Sequence, residues 1–133
     1  MTAAQRAIFG SSNNVTLLGA ILYGELSHYM NHCDIGFMPM NDHPFNETRS
    51  PMKLYEFAVC GLPMVARTTS ELRHRELPFC FAYDGLPEFC TAVHRALAYR
   101  REGADEMRRL AAERSWENIT SQLLAFCEDI SPG

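Results

Sequence analysis

Lysine is almost missing from this sequence. Of 12 lysine and arginine residues, Lys53 is the one lysine and the rest are arginine. The net charge is -4, which excludes a nucleic-acid binder that works through a basic surface. No apolar run approaches the roughly 18 residues that a membrane-spanning helix needs. Met1 to Gly10 carries Arg6 and no long apolar stretch, so it does not read as a secretory leader. A soluble chain is expected, with peripheral attachment to a membrane left open. The five cysteines, Cys33, Cys60, Cys80, Cys90 and Cys127, form no C-x-x-C pair and no cluster with histidine at zinc spacing. That usage fits reduced thiols in a cytosolic protein, most of them serving as small apolar core residues.

What remains is an ordinary globular composition, 47% hydrophobic and 21% charged over 133 residues. It is not that of a disordered or fibrous chain, and the length suits one domain. Four short apolar runs read as strands: Val15 to Gly19, Cys33 to Met40 with a stop at Pro39, Pro63 to Ala66, and Phe79 to Tyr83. Between them Leu22, Leu26, Tyr29 and Met30 recur at helical spacing over Tyr23 to Asn31, and a helix is expected from Ser50–Pro51 to Gly61. Thr69 or Ser70 is placed to cap a short helix through Arg75. After Tyr83 the pattern is all helical: Leu86 to Arg100, Ala104 to Arg114, and a last helix capped by Ser115. That last helix is expected to turn Trp116, Ile119, Leu123, Phe126 and Cys127 inward, with Trp116 as a core anchor. Short apolar strands alternating with helices predict an α/β fold with a parallel sheet.

The chemically informative stretch is Ser50-Pro-Met-Lys-Leu-Tyr-Glu-Phe-Ala-Val-Cys-Gly-Leu-Pro-Met-Val-Ala66. Ser50 reads as an N-cap and Pro51 as the first helical residue, where its missing N–H costs nothing. Lys53 then falls in the first turn, against the positive end of the helix dipole, a loss of ~0.3–1 kcal/mol. A bound anion reverses the sign of that term. Glu56 shares the face of Lys53, and its carboxylate can accept two hydrogen bonds from a vicinal diol such as a ribose. The same two residues can equally form an exposed i,i+3 ion pair worth a few tenths of a kcal/mol. Local physics alone leaves both readings standing.

From about Asn14 to about Glu128 the chain resembles the C-terminal half of retaining glycosyltransferases of the GT-B fold, group 1 and family 4-like. The resemblance rests on Asn14-Val-Thr-Leu-Leu-Gly19, Gly24-Glu-Leu-Ser-His-Tyr29, Cys33-Asp-Ile-Gly-Phe-Met-Pro39, Ser50-Pro-Met-Lys-Leu-Tyr-Glu56, Gly61-Leu-Pro-Met-Val-Ala66, Glu71-Leu-Arg73 and Ser115-Trp-Glu117, in that order. The Ser-Pro-x-Lys-x-x-Glu form looks most like members that build bacterial polysaccharides. The resemblance implies a nucleotide-sugar-binding domain over residues 15–128, after a weakly patterned segment 1–14 and before a tail 129–133. It implies donor contacts from Ser50, Met52, Lys53, Leu54 and Glu56: Glu56 on the ribose hydroxyls, Lys53 and the backbone of Ser50 to Leu54 on the diphosphate. It implies a nucleotide-diphosphate sugar as donor, no metal or other cofactor, and hexosyl or uronosyl transfer. The expected location is the cytoplasm, with attachment at the inner face of the membrane left open. No catalytic residue is assigned.

Two departures from the family pattern matter. The family often has a second glutamate before this one with seven residues in between, and that position here is Thr48, with Glu47 adjacent. The family domain also resembles a six-stranded sheet in the order 3-2-1-4-5-6, and only the counterparts of strands 3, 4, 5 and 6 are found. The expectation is therefore a partial Rossmann-like sheet of about four strands with C-terminal helices. Val15 to Gly19 would lack its usual neighbours, and an acceptor-binding domain would have to come from elsewhere. A non-catalytic nucleotide-binding module, or a truncated fragment, is the competing expectation.

The other reactive residues read more plainly. His28 and His32 are spaced i,i+4 without an evident third ligand. Asp34 reads as a strand-boundary residue, and Arg73 and Arg75 as a solvated helix face. Cys60 has no base partner that would make it a nucleophile.

Overall fold

A computed structural model describes residues 3–41 and 43–130. Its sheet has three short strands, β1 (Gly36–Met38), β2 (Met64–Arg67) and β3 (Cys80–Tyr83). They pair in the order β1-β2-β3 and both pairings are parallel, with Gly36 opposite Met64 and Val65 opposite Phe81. Parallel neighbours cannot be joined by a hairpin, and the connections carry helices α3 (Pro44–Glu47), α4 (Lys53–Val59) and α5 (Ser70–Arg75). Two further helices precede the sheet, α1 (Ala3–Gly10) and α2 (Tyr23–Asn31), and two follow it, α6 (Leu86–Glu113) and α7 (Trp116–Asp129).

Strand residues alternate between two faces, and here both faces are covered. Met64 and Ala66 of β2 join Leu54 and Ala58 of α4, Leu72, Phe79, Met107 and Ala111 in one buried cluster. Val65 joins Phe81, Ala92 and Ala96 in a second. One helix serves both clusters. The 28 residues of α6, about 42 Å at 1.5 Å per residue, place Ala92 and Ala96 in the second and Met107 and Ala111 in the first. Tyr99, midway, packs against both.

The α/β class, the parallel sheet and the C-terminal helices are as the sequence predicts. Three details differ. Val15 to Gly19 forms no strand, so the sheet has three strands and not four, and Val15, Leu17 and Leu18 are exposed. An apolar run becomes a strand only when a neighbour pairs with it and covers it. The break expected near Gly103 is absent, because Gly103 lies inside α6, buried under the ring of Tyr99. The inward stripe of α7 is also absent. Ser115 does cap this helix, accepting from the Asn118 N–H at 3.3 Å. Yet α7 buries none of its residues, and Trp116 is 76% exposed. Periodicity marks a face to be covered but not what covers it.

The cysteines need correcting as well. Cys33, Cys90 and Cys127 are exposed and Cys60 and Cys80 half-buried, so none is a fully buried core residue. The segment expected to be weakly patterned is largely helical, as α1. Of the expected segments, residues 1–2 and the tail residues 131–133 lie outside the described residues.

Candidate functional site at the carboxyl ends of the strands

In a parallel sheet, each helix that follows a strand begins beside that strand's carboxyl end. The connections that leave β1 (α3, then α4), β2 (α5) and β3 (α6) therefore open on one edge of the layer, where open α/β sheets bind ligands. Ser50, Met52, Lys53, Leu54 and Glu56 all lie at the start of α4.

The start of α4 is built differently from the sequence expectation. The helix opens at Lys53, and the residue before it, Met52, is in the αR region and offers no side-chain cap. Ser50 is therefore not the N-cap. The lead-in turn begins at buried Pro51, whose carbonyl accepts the Leu54 N–H at 3.2 Å. Leu54 faces inward at 1% exposure and anchors this turn in the core, while Met52 is 69% exposed.

Lys53 and Glu56 meet each other. Nζ of Lys53 donates to Oε2 of Glu56 at 2.5 Å, with side-chain exposures of 50% and 19%. The ion pair weighed in the sequence is thus formed, and it offsets the dipole penalty on Lys53. Such i,i+3 pairs are worth only a few tenths of a kcal/mol. A phosphate or a diol arriving at this edge can displace it at small cost.

Arg75, at the end of α5, reaches across to the same segment. Its Nη1 donates to the Tyr55 hydroxyl at 2.5 Å and its Nη2 to Ser50 Oγ at 2.9 Å. Its Nε donates to Glu71 Oε1 at 2.6 Å. Its guanidinium lies 6.0 Å from the centre of the Tyr55 ring, within cation–π range. Tyr55, Glu71, His74, Arg75, Leu77 and Arg114 line a hollow of about 350 Å³ beside this network. Arg75 is thus not part of a merely solvated face. Arg73 is, at 66% side-chain exposure and 3.9 Å from Asp84. Only the i,i+4 spacing of Glu71 and Arg75 hinted at the network; its longer-range partners carry no signal in sequence.

Glu47, next to the position of the missing second glutamate, faces α5. Its Oε2 accepts from the Ser70 hydroxyl at 2.7 Å and the Ser70 N–H at 2.9 Å. These bonds hold its carboxyl below the ordinary value. Thr69 is the N-cap proper, accepting from the Leu72 N–H at 3.2 Å, one of the two residues expected. Elsewhere, Asp34 lies 3.8 Å from Arg100, and His32 Nδ1 is 2.7 Å from the His28 carbonyl. Burial raises the Cys60 thiol above its ordinary value, which argues against a nucleophile there. Among the described residues, no three His, Cys, Asp or Glu side chains are grouped to hold a metal ion, and no helix is long and apolar enough to cross a membrane.

Known proteins resemble this chain over the same region. The family model for glycosyl transferases group 1 matches residues 2–99, a span that contains the whole α4 segment and Arg75. Over 118 residues the chain is 30% identical to a protein of Bacillus subtilis (strain 168) named as the teichuronic acid biosynthesis glycosyltransferase TuaH. That alignment takes in 85% of this chain and 30% of the relative, so the chain spans less than a third of the relative's length. No solved structure matches the chain.

Proposed function

The chain belongs to the group 1 glycosyltransferases, and from that premise we propose that it is the part of such an enzyme that binds the nucleotide-sugar donor. Residues 15–128 are assigned to this task. Lys53 and the backbone from Ser50 to Leu54, with Met52 alongside, take the diphosphate. Glu56 takes the ribose hydroxyls. Charge developing on the leaving diphosphate is stabilised electrostatically by Lys53. The donor is a nucleotide-diphosphate sugar, the transferred group a hexosyl or uronosyl unit, and the site uses no metal or other cofactor. The relative's name supports a bacterial polysaccharide or glycoconjugate as the product. The acceptor is held by a domain or subunit outside this chain. Transfer takes place in the cytoplasm, with attachment at the inner face of the membrane left open, and the isolated chain turns over poorly.

One observation carries this reading. The family model covers residues 2–99 and so contains Lys53 and Glu56, whose bond to each other is weak enough for a ligand to displace. Calorimetric titration of the folded chain with uridine and guanosine diphosphates tests it. Saturable binding is expected, weakened about tenfold by Lys53→Ala, the scale of one charge-assisted hydrogen bond. A folded sample that binds neither nucleotide would end the donor-site reading. Lys53→Ala binding as tightly as the parent would remove Lys53 from it.

A second reading is favoured by coverage. Because the chain spans 30% of its relative, it can also be a non-catalytic nucleotide-binding module that completes a separate acceptor domain. Adding that domain discriminates: transfer appears under the first reading, and only nucleotide binding under the second.

A further inference from the structure

We propose that Arg75 is a positioning residue for the donor site, an inference that rests on the donor-binding reading above. The start of α4 has no side-chain cap of its own; Leu54 holds its inner side in the core, and a contact from outside the helix is left to hold its outer side. Arg75 is placed to do so. It is the last residue of α5, and its side chain is 28% exposed. Nε is held by Glu71 within α5, and the two terminal nitrogens reach Ser50 and Tyr55.

Ser50 and Tyr55 bracket the turn in which α4 begins, and Lys53 lies between them. A planar guanidinium that grips both acceptors fixes their separation and their orientation. Glu71 matters because a guanidinium anchored at Nε cannot swing away from the other two partners. Lysine would keep the charge at position 75 but, as a compact single head, could not hold three partners in a fixed fork. The consequence for the ligand is geometric. A displacement on the order of 1 Å in the groups that hold a substrate can cost up to about a hundredfold. Arg75 therefore sets donor affinity through Ser50 and Tyr55, without touching the donor.

Uridine and guanosine diphosphates are titrated into the parent, Arg75→Lys, Tyr55→Phe and the double variant, all below their melting temperatures, with circular dichroism confirming the fold. Arg75→Lys should weaken binding about tenfold, and Tyr55→Phe by less. The double variant should bind no more weakly than Arg75→Lys alone, because both changes break one connection. Ligand-free Arg75→Lys should also show shifted backbone amide signals at Lys53 and Glu56. A merely stabilising arginine would lower the melting temperature and leave those signals and the affinity of the folded protein in place. Parent-like affinity and amide signals in Arg75→Lys overturn the proposal. If Arg75→Lys does not fold, parent-like affinity in folded Tyr55→Phe overturns it. Absence of binding by the parent instead overturns the donor reading beneath it.

Discussion

Glu47 carries the clearest dependence on acid at the residue scale. Its carboxyl is held low by the Ser70 hydroxyl first and the Ser70 N–H second. A carboxyl with a depressed folded value binds its proton less tightly folded than unfolded. Its stabilising contribution is complete above the ordinary value of 4.5 and fades as pH falls through the lowered one. The melting temperature of Glu47→Gln should therefore fall below the parent's at about pH 6, and the gap should narrow toward about pH 3. A gap that stays constant with pH would show that the carboxylate charge is not what matters. The cysteines give a second prediction at this scale. Burial pushes the Cys80 thiol up to about 12, and thiolate is the reactive form. Iodoacetamide at about pH 8, read by peptide mass spectrometry, should label exposed Cys33 and Cys90 well ahead of Cys80. Equal rates would contradict the burial of Cys80.

Gly103 holds the most exposed assumption at the scale of elements. Alanine inside a helix usually gains up to about 1 kcal/mol over glycine. Here a Cβ would lie 2.3 Å from the Tyr99 ring. That ring cannot easily give way, since its hydroxyl donates to Glu106 at 2.5 Å and its edge meets Phe81 at 5.7 Å between ring centres. Gly103→Ala is expected to destabilise by about 1–3 kcal/mol in denaturant melts; a gain would mean that the ring rotates freely. The same glycine explains one limit of sequence reading, because a residue that usually breaks a helix and one that lets a ring close on it look alike in sequence. The start of α5 was legible because its cap lies within one turn, from Thr69 to Leu72. The start of α4 falls at Lys53 and not at Ser50, and Ser50 Oγ accepts from Arg75, which is remote in sequence. The strands at Cys33–Met40, Pro63–Ala66 and Phe79–Tyr83 were legible from apolar runs, whereas Val15–Gly19 needed a neighbour it does not have. Lys53 and Glu56 were legible as neighbours from their i,i+3 spacing. Helix α7 follows the same logic as Val15–Gly19. With Trp116 76% exposed and the one tryptophan in the chain, native fluorescence should already resemble that of the unfolded chain and be readily quenched by acrylamide. A blue-shifted, protected emission would mean that α7 is covered in solution.

The molecule as a whole divides its apolar surface unevenly. The two clusters around the sheet take in most of the buried side chains, while Ile8, Phe9, Leu17, Leu18 and Leu22 before it, and Leu123, Leu124 and Phe126 after it, stay open to solvent. Exposed apolar surface on this scale marks sites where a protein or membrane surface can dock. The sheet itself needs no help from those flanks, because each strand pairs with the next one along the chain. Its assembly requires two crossover closures, each between consecutive strands of one parallel sheet. A chain begun at Tyr23 should therefore refold at the parent's rate in stopped-flow measurements, and a marked slowing would show that the first helix helps to nucleate the sheet. During synthesis, the segment that carries Lys53 and Glu56 gains its full support only once α6 has emerged, because Met107 and Ala111 close the cluster around Leu54 and Ala58.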